Sequence, residues 1–277
     1  NAYMYVKDWE DGPQNEIPRS EWQFAKEQNG AVVPDPEHVY MKSGFHPGKI
    51  YSVVYEALNP VVAGSTLMSV RDIGSWIKYG GVDTPIKNPP THAYAYGISQ
   101  TGRLLRHYLY AGMNLDENER QVYDGLIPHV AGGRRGDFNH RFAQPSQQSS
   151  PGFGHLYPFS DNPVADPYGR KTEGLQDTQK NLGGLPKVIY TNTSAEYWRG
   201  DASLSHTDLE DHRDLDFPEN TRSYLFSGTQ HVPRELPQKK DPGPDGSLGL
   251  YGFNVIDFRP LLRAALCNLV AWVEEGR

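Results

Sequence analysis

The hydrophobic pattern of the chain changes character near residue 50. Before it, "AYMYVKDW" alternates like a short strand, and the polar, proline-bearing "EDGPQNEIPRSEWQF" and turn-rich "GAVVPDPEHVYMKSGFHPGK" predict a meandering edge or cover. After it, "IYSVVYEAL" (50–58) has the apolar, β-branched and aromatic content of a strand. "GSTLMSVRDIGSWIKYG" then places Leu67, Val70, Ile73 and Ile77 at helical spacing. The alternation goes on with a strand at 93–98, a helix at about 101–113 and a strand at 124–132. Strands at 186–193 and 221–228 follow, and a helix at about 258–275 closes the chain. Strands alternating with helices predict an α/β fold, a mostly parallel central sheet flanked by helices, in one domain spanning 1–277.

One stretch breaks the rhythm. Residues 137–185 include "QPSQQSSPGFGHLYPFSDNPVADPYG", rich in Gly, Pro, Ser and aromatics. Loops of that length in a compact domain serve as lids or binding loops, so an insertion or lid is expected there.

Composition narrows the function. With 37% hydrophobic residues, 28 Gly and 22 Pro, the chain reads as globular and rich in loops. A net charge of −7 argues against a nucleic-acid partner, because phosphate binding needs a concentrated positive surface. Cys267 is the one cysteine, which excludes an intrachain disulfide and a cysteine-based zinc site. No apolar run approaches the roughly 20 residues of a membrane-spanning helix. Localisation stays open, with an exported protein cut at its N-terminus as one reading. Asn1 reads as a processing boundary, and sequence upstream of it is expected to complete the fold.

The candidate chemistry begins at "AYAYGISQTGRLLRHYL" (93–109), where Ser99 stands between a strand and a helix with Gly97 and Gly102 around it. A nucleophile elbow needs small residues there, because the turn is tight and holds the serine Oγ above the sheet at a helix N-terminus. The usual pattern has glycine at the position of Thr101, so the local string fits an ordinary strand-to-helix turn as well.

The rest of the chain decides. A serine nucleophile needs a base, and the base needs a carboxylate to fix its tautomer. In this architecture the acid and then the histidine follow the serine, each in a loop after a strand. After "KVIYTNT" comes "SAEYWRGD", offering Glu196 and Asp201, and after "SYLFSG" comes "TQHVP", with His231. The competing histidines lie inside elements (His107, His129) or in the charged "SHTDLEDHRD" (His206, His212). Asp208, Asp211 and Asp214 of that run read as a solvated face.

The segments "YGISQTGRLLRHYLYAGMN", "GGRRGDFNHRFAQPS", "TNTSAEYWRGDASLSHTD" and "GTQHVP" carry a resemblance. The chain resembles the α/β-hydrolase superfamily and, within it, a group of large, mainly bacterial proteins known only as α/β-hydrolase domain proteins. The resemblance extends from "DGPQNEIPRSEWQFA" onward and implies that Ser99, Glu196 and His231 match the triad ascribed to the group. It also implies sequence ahead of the start of this chain and more strands before the serine than the one legible here.

Further expectations attach to the rim. Arg134, Asn139, His140 and Arg141 in "GGRRGDFNHRFAQP" are candidates for binding a carboxylate or hydroxyls, against the alternative of an internal network with Asp137. His155, Leu156, Tyr157 and Phe159, with Tyr197 and Trp198, are candidates for an aromatic cover over an acyl or aryl group, or for packing the insertion down. The backbone N–H of Gln100 is the first expected oxyanion donor, and the second is expected upstream, on another fragment or chain. The reaction expected is hydrolysis of a small-molecule ester through an acyl-enzyme on Ser99, with no metal or organic cofactor required. Amidase, peptidase or acyltransferase chemistry on the same three residues, and a non-catalytic binding protein on the same scaffold, are the alternatives.

Overall fold

A computed structural model of the chain describes residues 2–8, 12–58, 64–81, 83–136, 157–166, 171–198, 201–243 and 248–277. They form two units, Asn1–Val62 and Ala63–Arg277.

The first unit is all β. Strand β1 (Ala2–Lys7) lies between β2 (Asn15–Ile17) and β5 (Ile50–Tyr55), antiparallel to both. Strands β3 (Trp22–Gln28) and β4 (Ala31–Met41) form a hairpin. Its turn is Asn29-Gly30, both at positive φ, the pair that a tight two-residue hairpin turn favours. Met4, Ile17, Trp22 and Met41 make the core of this unit. The sequence pattern hides β4, because Pro34 and Pro36 interrupt it. The ladder absorbs them by a bulge: Ala25 pairs with Pro34 and the preceding Phe24 with Val39. Asp35, inside the bulge, takes Lys26 at 2.7 Å and His38 at 2.9 Å. Strand β5, expected to feed the parallel sheet, instead pairs antiparallel with β1, so the first unit contains more regular β structure than a meandering cover.

The second unit is α/β. Helix α1 (Thr66–Tyr79) leads to β6 (Tyr94–Ile98), α2 (Gln100–Tyr110) and β7 (Gly125–His129). The short pair β8 (Val164–Ala165) and β9 (Thr172–Glu173) and helix α3 (Asp177–Leu182) precede β10 (Lys187–Thr193). Helix α4 (Ser194–Trp198), β11 (Thr221–Phe226) and α5 (Arg259–Glu275) complete it. The sheet runs β11-β10-β7-β6, every neighbouring pair parallel.

Alternation along the central strands sorts side chains to the two faces. Leu126, Val188 and Tyr190 pack with Leu67 of α1 and with Tyr108 and Leu109 of α2. Ile127 and Ile189, one position along, pack on the other face with Ala265, Leu269 and Trp272 of α5. All five residues of β7 are buried, as a strand covered on both faces of a parallel sheet must be. Trp272 also takes the Arg222 guanidinium at 3.9 Å and the Lys187 ammonium at 4.8 Å over its ring.

Of the expected insertion, 137–156 and 167–170 lie outside the described residues. The remainder holds β8, β9 and α3, tied back where Leu175 N–H donates to the Ser160 carbonyl at 2.8 Å.

Candidate active site

Ser99 occupies the turn between β6 and α2 at φ 54°, ψ −114°, a left-handed backbone uncommon for a residue with a side chain. Three features hold it there. The Ser99 N–H donates to the His129 carbonyl of the adjacent strand at 2.8 Å. The Thr101 hydroxyl accepts from Ile98 N–H and donates to Ile98 C=O, both at 2.8 Å, closing the turn from inside. The glycines remove what would collide: a Cβ on Gly97 would lie 2.4 Å from the Thr101 carbonyl oxygen. One on Gly102 would lie 3.0 Å from both the Ala131 Cβ and the His129 oxygen.

Glu196 is placed by local sequence. Thr193-Ser194-Ala195-Glu196 has the spacing of a capping box at the start of α4, and the Glu196 carboxylate accepts the Thr193 N–H at 2.9 Å. The Thr193 hydroxyl donates to the same oxygen. The other carboxylate oxygen is thereby left to face the loop after β11. That loop is pinned beside α4 by the Gly228 N–H, which donates to Ser194 Oγ at 2.9 Å, and to the segment before α5 by Gln230 Nε2, which donates to the Asn254 carbonyl at 3.0 Å.

His231 stands on that loop and joins the two groups. Its Nδ1 is 2.5 Å from Glu196 Oε1 and its Nε2 is 2.9 Å from Ser99 Oγ. Nδ1 donates to the carboxylate, which leaves Nε2 as the acceptor facing the serine hydroxyl. Burial pushes the Glu196 carboxyl up, but the hydrogen bonds from His231 and Thr193 outweigh it and hold the group below its ordinary value. The acid therefore stays ionised beside the imidazole.

The remaining candidates fall in different places. Gln100 is the first residue of α2, directly after Ser99. Asp201 and Arg134 are bonded to each other: Asp201 Oδ2 accepts Arg134 Nε at 2.5 Å and Arg134 N–H at 3.1 Å. Both are largely buried, so this pair ties the loop after β7 to the chain after α4. Tyr157 hydrogen-bonds through its hydroxyl to the backbone of Glu173, at 2.7 Å to the carbonyl and 2.6 Å from the N–H. Trp198, at the end of α4, is 90% exposed. Asn139, His140, Arg141, His155 and Leu156 lie outside the described residues.

His129 and Thr193 carry parts of the site that sequence reading did not select. His129 takes Thr191 Oγ1 at 2.9 Å and lies against Tyr96, Phe226 and Phe258. Its burial there lowers its pKa to about 4, so the ring is neutral. Thr193 was legible in principle from its three-residue spacing to Glu196, whereas nothing in one sequence marks His129 as a neighbour of Ser99.

His231 forms part of the wall of two cavities. One, of about 880 Å³, is bordered by Ala195, Gln230, Arg234, Leu236 and Phe253. The other, of about 550 Å³, is bordered by Tyr96, Ile98, His129, Phe258 and Leu262. Among the described residues no cluster of His, Cys, Asp or Glu is suited to hold a metal ion.

The family model of the alpha/beta hydrolase domain matches residues 49–277. The chain belongs to this family. No curated protein and no solved structure matches it. Membership makes a hydrolase of this chain in general terms, and the α/β hydrolase's parallel sheet with flanking helices agrees with that assignment. The matched span begins at the edge of β5 and takes in the whole α/β unit, including Ser99, Glu196 and His231.

Proposed function

We propose that this α/β hydrolase is a serine carboxylesterase that works through an acyl-enzyme on Ser99, with His231 as base and Glu196 as its orienting acid. The observation that carries the reading is the hydrogen-bonded series from Ser99 Oγ to His231 Nε2 at 2.9 Å and from His231 Nδ1 to Glu196 at 2.5 Å. Each member follows a different strand of one sheet: Ser99 after β6, Glu196 in α4 directly after β10, and His231 in the loop after β11.

The chemistry follows from what each group can do. As Ser99 Oγ attacks an ester carbonyl, His231 Nε2 takes its proton, and the imidazolium is stabilised by the Glu196 carboxylate. The carbonyl oxygen becomes an anion, which the backbone N–H of Gln100 and the positive end of α2 favour. Collapse breaks the bond to the alkoxide leaving group, which receives the proton from His231. Water then attacks the acyl-enzyme with His231 again as base, releasing the acid and restoring Ser99. The cavities that meet at His231 give room for an ester of small-molecule size.

Reaction with a fluorophosphonate tests the reading. The expected result is one phosphonyl group per chain, on Ser99, with hydrolysis of aryl esters, and neither in Ser99→Ala. Absence of labelling in the folded protein, or labelling that survives Ser99→Ala, overturns it.

A further inference from the structure

Helix α2 begins directly after Ser99, and its last turns carry side chains that have no part in the chemistry. Arg106 is wholly buried. Its Nη2 donates to the Gly133 carbonyl at 2.9 Å and to the Phe159 carbonyl. His107 Nδ1 donates to the Gly136 carbonyl at 2.6 Å. Arg135 Nη2 donates to the Tyr157 carbonyl at 2.6 Å while its guanidinium lies 3.6 Å over the ring of Tyr110, also on α2. These bonds gather two stretches of chain far apart in sequence, 133–136 and 157–159, onto one helix.

A buried guanidinium is a costly way to join two loops unless its charge is compensated. Here part of the compensation comes from an aromatic face. The Arg106 guanidinium lies 4.9 Å over the ring of Tyr190; burial pushes the neighbouring Asp161 carboxyl up, and the Arg106 charge offsets only part of that rise. Asp161 in turn accepts the Tyr190 hydroxyl at 2.8 Å and the Thr221 hydroxyl at 3.0 Å. Tyr190 belongs to β10 and Thr221 to β11, so the network reaches from the serine helix across the sheet. Among the described residues, Arg106 Nε and Nη1 meet no acceptor, so its hydrogen bonds to both loops run through the one Nη2.

The first of these loops leaves the sheet beside the nucleophile. His129 holds the Ser99 N–H, Ala131 faces Gly102, and Gly133 and Arg134 then bond to Asp201, five residues after Glu196. A shift of 133–136 therefore reaches the site through the end of β7, where His129 borders the cavity of about 550 Å³ beside His231, and through Asp201, while Ser99, His231 and Glu196 are held by other contacts. We infer that Arg106 is a positioning residue: it sets the loops 133–136 and 157–159 in register with the serine helix, and it governs substrate affinity rather than the chemical step. The inference rests on the ester hydrolase reading for its kinetic readout alone.

The test is steady-state kinetics on an aryl ester with Arg106→Met and Arg106→Lys, alongside hydrogen exchange. For Arg106→Met, KM is expected to rise about tenfold with kcat within about twofold. Ser99 should still react fully with a fluorophosphonate, and Arg106→Lys, which can reach one carbonyl, should recover about a third of the affinity. The amide of Leu175, bonded to the Ser160 carbonyl, should exchange faster in Arg106→Met. An unchanged KM in folded Arg106→Met, or a loss confined to kcat and to the labelled fraction, overturns the inference. Where Arg106→Met does not fold, Arg106→Lys carries the test, and an unchanged KM in that folded variant overturns the inference equally. Were the wild type to hydrolyse no ester, the fluorophosphonate result would identify that failure. The exchange rate of Leu175 would then decide the role of Arg106, an unchanged rate overturning it.

Discussion

The backbone N–H of Ser99 is bonded to the carbonyl of His129 at 2.8 Å, so the turn that presents the serine is anchored to the neighbouring strand of the sheet. That anchor keeps Ser99 at φ 54° although a side chain disfavours it. Such backbone strain costs roughly 1–3 kcal/mol, against roughly 0.5–1 kcal/mol for the extra freedom of glycine in the unfolded chain. Ser99→Gly should therefore unfold at higher urea concentration, by about 1 kcal/mol, while losing all hydrolysis. Ser99→Ala, which keeps the strain, should lose hydrolysis with its urea midpoint unchanged.

The two glycines of the turn should respond unequally. A methyl group on Gly97 meets backbone at 2.4 Å, and backbone cannot give way. Gly97→Ala is expected to destabilise by about 3 kcal/mol or more and to abolish labelling of Ser99. On Gly102 the contacts are 3.0 Å, which a small shift of α2 relieves, so Gly102→Ala should cost about 1 kcal/mol and leave measurable hydrolysis. Thermal unfolding of the two variants checks the order.

Thr193 holds the Glu196 carboxylate through both its N–H and its hydroxyl. Loss of its hydroxyl in Thr193→Val removes a hydrogen bond to the ionised Glu196, a type worth roughly 1.5–3 kcal/mol, and kcat/KM should fall about tenfold or more. Glu196→Gln, which cannot stabilise an imidazolium, should lower kcat by about 10⁴. Because the folded pKa of Glu196 lies below its ordinary value of 4.5, this group stabilises the fold fully above that pH and loses its contribution as pH falls through the folded value. Thr193→Val weakens the depression, so its acid unfolding should begin at higher pH than that of the wild type.

His129 should behave as a neutral core residue. Its burial lowers its pKa to about 4, so proton NMR should find its ring signals unchanged from pH 8 to about pH 5. The unfolded chain takes up this proton near pH 6.5 and the folded one near 4. Stability is thus lost as pH falls across that interval, by an amount on the order of 3 kcal/mol. His129→Gln should flatten this part of the stability profile.

The α/β unit was legible because its signals are local. The patterns at 93–98, 186–193 and 221–228 became β6, β10 and β11 within a few residues, and the periodic apolar positions from Leu67 to Ile77 became α1. The first unit was less so, since Pro34 and Pro36 mask a long strand whose continuity depends on a bulge against Phe24 and Ala25. Pairing was equally hidden: whether Ile50–Tyr55 joins a parallel or an antiparallel sheet is decided by its partner β1 and not by its own residues. At the site, the order of Ser99, Glu196 and His231 could be read from strand ends, whereas the bond of Asp201 to Arg134 required the fold. So did the way Arg106 gathers two distant loops, since neither Gly133 nor Phe159 offers anything but a backbone oxygen.

Thr101 has a consequence for how such turns are found. A search string that demands glycine two places after the serine passes over this chain, because it encodes the absence of a side chain. Here the turn is instead sealed by a hydroxyl that satisfies both the N–H and the carbonyl of Ile98. A pattern that admits threonine or serine at that place, and asks for glycine at the next, would retrieve chains in which the same bend is specified by a bond rather than by a gap.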